Sequence, residues 1–88
     1  MVPDIHADPE KLRQFARTLT KSSQQFDQLS RQMKQGLDAT GWQDSERVKF
    51  ESDFAATLKT IRMFSERLKS EYVPKLQRKA AALDNFRR

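Results

Sequence analysis

The apolar residues of the N-terminal half recur along one stripe of a predicted helix. Leu12, Phe15 and Leu19 are separated by three and four residues, and this spacing resumes at Phe26 after Ser22 occupies one step. Such a heptad pattern is typical of a helix that buries a single face against another helix. The predicted stripe consists of Leu12, Phe15, Leu19, Phe26, Leu29, Met33 and Leu37.

The ends of this helix also carry recognisable signals. Asp8 is a typical N-cap residue, Pro9 suits the first helical position, and Glu10 favours the positive end of the helix dipole. The pattern ends near Gly36, so we expect the first helix to cover about residues 8–37.

A turn follows, and it contains the strongest interruption of the pattern. Gly41 is free to adopt a positive φ, and Asp44 is placed to cap the helix that begins after it. Trp42 is the only tryptophan and lies between them. Its ring either closes this end of the molecule as a hydrophobic lid or stays exposed as an anchor for a partner. The turn motif is therefore Gly41, Trp42 and Asp44.

The second half repeats the helical pattern with more aromatic residues. Its apolar positions are again three and four residues apart, and they continue until Pro74. The second helix is therefore expected over about residues 44–73. Its predicted stripe consists of Phe50, Phe54, Leu58, Ile61, Phe64, Leu68 and Tyr72.

The two predicted helices have equal lengths, which favours an antiparallel hairpin. Each rod of about thirty residues is roughly 45 Å long, and facing residue numbers sum to about 82 if the chain folds back at Gly41. Pro74 then lies opposite Asp8 and marks the end of the paired region. We expect residues 1–7 to be flexible and residues 75–88 to form a short basic helix that extends beyond the hairpin.

Each stripe is wider than one neighbouring helix can cover. A single hairpin would leave apolar side chains in water, and two hairpins paired as a four-helix bundle would cover them. The chain has 88 residues and no cysteine, so neither a disulfide nor a cysteine-based zinc site supports so small a fold. The predicted fold is all-α: one helical-hairpin domain, residues 1–88, that dimerises into a four-helix bundle.

Charge and candidate chemistry argue for binding rather than catalysis. The chain has one histidine and no cysteine, and two narrow rods offer no deep pocket, so we expect no enzymatic activity, cofactor, metal or small-molecule substrate. No apolar run approaches the roughly 20 residues that a membrane span needs. The net charge of +5 is concentrated at the C-terminus, where +4 falls in the last fourteen residues. This basic tail consists of Lys75, Arg78, Lys79, Arg87 and Arg88.

The helix, turn and second helix, with a tryptophan in the turn, resemble the WXG100 (ESAT-6-like) family of type VII secretion systems. The likeness covers nearly the whole chain. The family has Trp-x-Gly in its turn, whereas this chain reads Trp42-Gln43-Asp44, with Gly41 before the tryptophan. The family's Tyr-x-x-x-Asp/Glu export signal is also altered, because Tyr72 is followed four residues later by Leu76.

The resemblance implies a bacterial protein that pairs with itself or with another helical hairpin, or with the helical N-terminal region of a secreted toxin. It implies a cytoplasmic protein that is then exported without a cleaved signal peptide. Two alternatives remain open at the level of sequence. One is nucleic-acid binding through the basic tail, and the other is a needle-type subunit of another secretion apparatus.

Overall fold

Two long helical arms and a five-residue connection form an elongated hairpin. A computed structural model describes residues 7–86. The first arm is α1 (Pro9–Ala39), and the second begins with α2 (Ser45–Arg67). The second arm continues through one π-helical turn (Leu68–Tyr72) into α3 (Val73–Phe86). The molecule measures 65 × 21 × 16 Å. Within residues 7–86, no helix combines the length and apolarity that crossing a bilayer requires.

The predicted starts of both long helices are confirmed. Asp8 caps α1 by accepting a hydrogen bond from the backbone N–H of Glu10 at 2.9 Å, and Pro9 occupies the first turn. Asp44 caps α2 by accepting from the N–H groups of Glu46 and Arg47. Each carboxylate satisfies amide donors that have no partner within the helix. Two parts of the predictions lie outside the described residues. They are residues 1–6 of the N-terminal segment and, in the basic tail, Arg87 and Arg88.

The prediction of two equal arms is wrong, because the second arm does not end at Pro74. Ser23 faces Ser65, where facing residue numbers sum to 88, and Arg13 reaches Asp84, where they sum to 97. Subtracting 74 from these sums places Pro74 opposite residues 14–23, well inside the paired region. The helix after Pro74 therefore packs along α1 instead of extending beyond the hairpin. It buries Val73, Ala80 and Leu83.

The π-helical turn explains how the chain passes Pro74 without a break. A proline inside an α-helix lacks an N–H donor, and its ring clashes with the carbonyl four residues earlier. Here the preceding turn is widened, and the N–H of Val73 donates to the carbonyl of Leu68, five residues back. The wider turn also absorbs one residue, since the buried positions Ser65 and Val73 are eight residues apart rather than seven. Such insertions are a known source of local irregularity in helices.

The interior of the hairpin is lined by small residues on α1. Its buried positions are Pro9, Ala16, Ser23 and Ser30, one every seven residues. These small side chains allow the second arm to approach closely. The Ser23 and Ser65 hydroxyls are 2.7 Å apart, and both residues are fully buried. The hydroxyls also reach the facing backbone, with Ser65 Oγ 3.1 Å from the carbonyl of Ser23.

Large apolar side chains remain exposed on the hairpin, as the width of the stripes predicts. Phe15 is 52% exposed and Leu29 is 50% exposed, and their contact with water is unfavourable for a single hairpin. The other exposed large apolar residues are Met33, Val48, Phe50, Met63, Phe64 and Phe86.

Candidate partner-binding face

The apolar residues of α1 form three parallel stripes with different exposures. In a heptad pattern of 3.5 residues per turn, positions three and four residues after a reference residue lie about 50° to either side of it. Leu12, Leu19 and Phe26 form a half-buried central stripe. The inner stripe, four residues further on, is buried, and it begins with Ala16. The outer stripe, three residues further on, consists of Phe15, Ser22, Leu29 and Gly36.

The second arm shows the same arrangement. Its central stripe, Phe54 and Ile61, is half-buried, while Leu58 and Ser65 lie on a buried inner stripe. The outer stripe includes Phe64, which is 48% exposed. Both arms therefore bury the stripe on one side of their centre and expose the stripe on the other. The full outer stripe of α2 is Phe50, Thr57 and Phe64.

The two outer stripes lie on the same side of the hairpin. On each helix, viewed along its own chain direction, the outer stripe is displaced from the central stripe in the same rotational sense. Because the two helices are antiparallel, both outer stripes therefore lie on the same side of the hairpin. The rings of Phe26 and Phe64 confirm this geometry, because they meet edge to face with centroids 5.7 Å apart. We call this side the outer apolar face, and its exposed members are Phe15, Leu29, Phe50 and Phe64.

Few charges border the outer apolar face. On α1, the positions one residue before and three residues after the outer stripe are uncharged except for Lys21. On α2 the middle of the border is uncharged, and charged residues occur only towards the two ends of the helix. Depletion of charge around exposed aromatic residues is characteristic of the core of a protein interface. The uncharged border residues are Gln14, Thr18, Gln25, Gln28, Gln32, Gln35, Ala39, Ala56, Thr60 and Met63.

The turn is held by a compact hydrogen-bond network around Trp42. The indole Nε1–H of Trp42 donates to Oδ1 of Asp44 at 2.7 Å, and its half-buried ring packs against Phe50 at 5.4 Å between centroids. Arg47 donates to the carbonyl of Trp42 and to the carboxylate of Asp38. The aromatic cluster continues along α2, where the ring of Phe50 stacks on the ring of Phe54. Trp42 thus closes the turn on one side and presents the rest of its ring to solvent.

The basic tail lies mainly on the solvent side of α3. Lys75, Arg78 and Lys79 are exposed, and no described residue forms an ion pair with them. The charged residue of α3 that contacts α1 is instead Asp84, which accepts a hydrogen bond from Arg13. This bond raises the pKa of Arg13 above its ordinary value.

An open groove, not foreseen from the sequence, separates α1 from α2 near the turn. Its volume is about 480 Å³. In this region the arms pack less closely than elsewhere, because the contacts of α1 with α2 are less extensive than its contacts with α3. Its walls include the apolar side chains of Leu37, Phe54 and Leu58. Arg31 and Arg62 stand on opposite walls.

Of the residues predicted to form the helix interface, only part of each stripe packs within the hairpin. Leu58 and Leu68 are buried, whereas the outer-stripe members remain exposed. The predicted apolar stripes do not include the buried small residues, because serine and alanine give little hydrophobic signal. A repeat of small residues every seven positions would have identified them. The missed positions are Ala16, Ser23, Ser30 and Ser65. Val73, Ala80 and Leu83 are also buried, because the helix after Pro74 packs along α1 instead of extending beyond the hairpin.

Comparison of the chain with protein-family profiles, with characterised proteins and with solved structures finds no match.

Proposed function

We propose that this chain is a non-enzymatic interaction protein that pairs with another helical hairpin through its outer apolar face. The observation that carries the proposal is the concentration of exposed Phe15, Leu29 and Phe64 on one side of the hairpin. Each of these side chains is about half exposed, so covering the remainder contributes on the order of 1 kcal/mol. The product is a four-helix bundle. In it, the central stripes lie between the contact of the two arms within a hairpin and the contact of one hairpin with the other.

A WXG100-like role is the most specific form of this proposal. The turn with Trp42, the two amphipathic helices and the outer apolar face support it. In this role the protein is a type VII secretion substrate, or the helical targeting partner of a larger effector. Asp44 supplies the cap at the turn where the family has its glycine.

The proposal is tested by measuring the mass of the purified chain in solution, alone and after co-expression with the products of neighbouring genes. Size-exclusion chromatography with light scattering should give about twice the 10.3 kDa of one chain, or a one-to-one complex with a second helical protein. A folded monomer that retains no partner at any concentration would contradict the proposal. Concentration-dependent filaments would instead favour the needle-type alternative.

Substitutions on the two sides of α1 make the test specific. Leu29→Glu places a charge in the centre of the outer apolar face and should weaken pairing more than about tenfold. Gln24→Glu introduces the same side chain on the solvent side of α1 and should leave the mass unchanged. Circular dichroism should show that both variants keep their helices. Equal masses for the two variants would rule out this face as the interface.

A further inference from the structure

The outer stripes of both arms alternate large and small residues every seven positions, or about 10 Å. The large residues are about half exposed, and each small residue between them leaves a gap. At Gly36 an added Cβ would meet nothing within 4 Å, so this gap is open. A second surface packs well when its large residues enter such gaps. In chain order the stripes read Phe15, Ser22, Leu29, Gly36 on α1 and Phe50, Thr57, Phe64 on α2.

The alternation on α1 is complementary to itself when two copies of α1 run antiparallel. With a two-fold axis between residues 25 and 26, Leu29 lies over Ser22 of the second copy. Phe15 then lies over Gly36 of the second copy, so both large residues meet a gap. Moving the axis by half a heptad would instead place Phe15 on Leu29.

A row of polar residues on α2, three positions after the outer stripe, is also complementary to itself. It begins with two acidic residues, has Thr60 in the middle, and ends with two basic residues. Its last step is eight residues long because the π-helical turn adds one. When two copies of this row meet antiparallel about Thr60, an acidic residue faces a basic one on each side of the centre. We call it the edge row, and it consists of Glu46, Asp53, Thr60, Arg67 and Lys75.

Most charges of the edge row have no opposite charge within their own hairpin. In the part of the chain that the structure describes, Glu46, Asp53 and Lys75 form no ion pair. Arg67 pairs with Glu71 at 3.1 Å, and both side chains are more than half exposed. A guanidinium has five N–H donors, so Arg67 retains donors for a second carboxylate.

The hairpin places the two centres of symmetry at the same level. The centre on α1 is at position 25.5 and the centre on α2 is near position 60, so their numbers sum to about 86. Facing residue numbers within the hairpin sum to 88 where Ser23 meets Ser65. Nearer the turn they sum to 85, where Arg47 pairs with Asp38. One two-fold axis across both arms therefore satisfies the size pattern of α1 and the charge pattern of α2 together.

We propose that the partner on the outer apolar face is a second copy of this chain, packed antiparallel about this axis. The proposal rests on pairing through that face and names its occupant. In the pair, Asp53 of each copy meets Arg67 of the other. A parallel pair would set the edge row against the border of α1, which is mostly uncharged.

Salt acts on this pair in two opposing ways. It screens the ion pairs of the edge row, and it also screens the repulsion between two chains of net charge +5. The edge row therefore sets the orientation of the pair more than its overall affinity.

Charge reversal tests the orientation. Asp53→Lys and Arg67→Glu each bring like charges together twice in a self-pair, so each should raise the dissociation constant about tenfold. In an equimolar mixture of the two variants, opposite charges meet at both contacts, and affinity should return to within about twofold of the original chain. Analytical ultracentrifugation in 0.05 M NaCl measures this. Lys59→Glu, on the opposite side of α2, is the matched control and should change affinity less than about twofold.

Single cysteines give an independent test, because the chain has none of its own. Thr60→Cys lies beside its own counterpart at the two-fold axis and should crosslink two copies with a short bismaleimide. Asp53→Cys lies about 21 Å along the helix from its counterpart and should not. Circular dichroism shows whether each variant keeps its helices.

The outcomes separate this proposal from the proposed function. A self-pair that the mixed variants do not restore, or in which Thr60→Cys does not crosslink, would show that the arrangement is wrong. A chain that pairs only with a different helical protein, and loses that pairing with Leu29→Glu, would show that the second copy is the wrong occupant while the proposed function stands. A folded monomer without any partner would contradict both.

Discussion

Single residues decide the geometry of the turn. One oxygen of Asp44 accepts hydrogen bonds from the N–H groups of Glu46 and Arg47 at 3.0 and 3.1 Å, and from the indole of Trp42. The N-cap and the tryptophan are therefore held by the same atom. The ring of Trp42 packs on Phe50, as the lid interpretation predicts, and it remains half exposed. Its role as an anchor for a partner stays a prediction.

The two glycines provide a matched test of backbone conformation. Gly41 has φ +71°, and a Cβ added there meets open space, so Gly41→Ala should destabilise the protein by about 1 kcal/mol through backbone strain alone. Gly36 lies within α1 and also has open space around it. Gly36→Ala should therefore stabilise the protein by about 0.5–1 kcal/mol.

Urea denaturation at one fixed protein concentration measures both changes, since pairing makes apparent stability concentration-dependent. Opposite signs for the two substitutions are the expected result. A stabilising Gly41→Ala would show that the turn does not require a positive φ.

At the scale of whole elements, the π-helical turn keeps the second arm in register with α1. It adds one residue between Ser65 and Val73, so that Val73 and Ala80 remain directed towards the first arm. The sequence holds a signal for this insertion. From Phe64 to Ala80 the apolar residues recur every four positions four times in succession, a period longer than the 3.6 of an α-helix.

Deleting one residue tests this role of the π-helical turn. Removal of Ser70 together with Pro74→Ala should convert the turn to α-helix and keep α3 packed, with the unfolding midpoint nearly unchanged. Removal of Thr60 with Pro74→Ala rotates the two halves of the arm by about 100° relative to each other. This second variant should lose about 2–5 kcal/mol through misplaced core residues.

Circular dichroism during urea titration compares the two deletion variants. Similar stability for both would show that the π-helical turn does not set the register.

For the whole molecule, the distribution of charge separates the possible partners. The outer apolar face is bordered mostly by uncharged residues, while Lys75, Arg78 and Lys79 of the basic tail lie on α3. An interface with few charges depends little on ionic strength, whereas binding to nucleic acid weakens steeply as salt is added.

The dissociation constant of the pair should therefore change by less than about threefold between 0.05 and 0.5 M NaCl. Analytical ultracentrifugation at several salt concentrations measures it. Affinity for DNA or RNA at low salt that collapses at high salt would favour the nucleic-acid alternative instead.

The sequence by itself determined the local structure of this protein. Helix starts at Asp8 and Asp44, the positive φ of Gly41 and the helical stripes depend on interactions between residues close together in the chain. Propensity, capping and hydrophobic spacing express such interactions directly.

Only the tertiary structure decided which stripe is buried and where the arms meet. In the folded hairpin, the two arms approach each other closely at the small residues Ser23 and Ser65. The paired region extends past Pro74, and a groove lies between the arms beside Ser30. These outcomes depend on the shapes of two surfaces that are distant in the chain; Ser23 and Ser65, for example, are 42 residues apart. A pattern along one helix describes its own surface but not the surface that it meets.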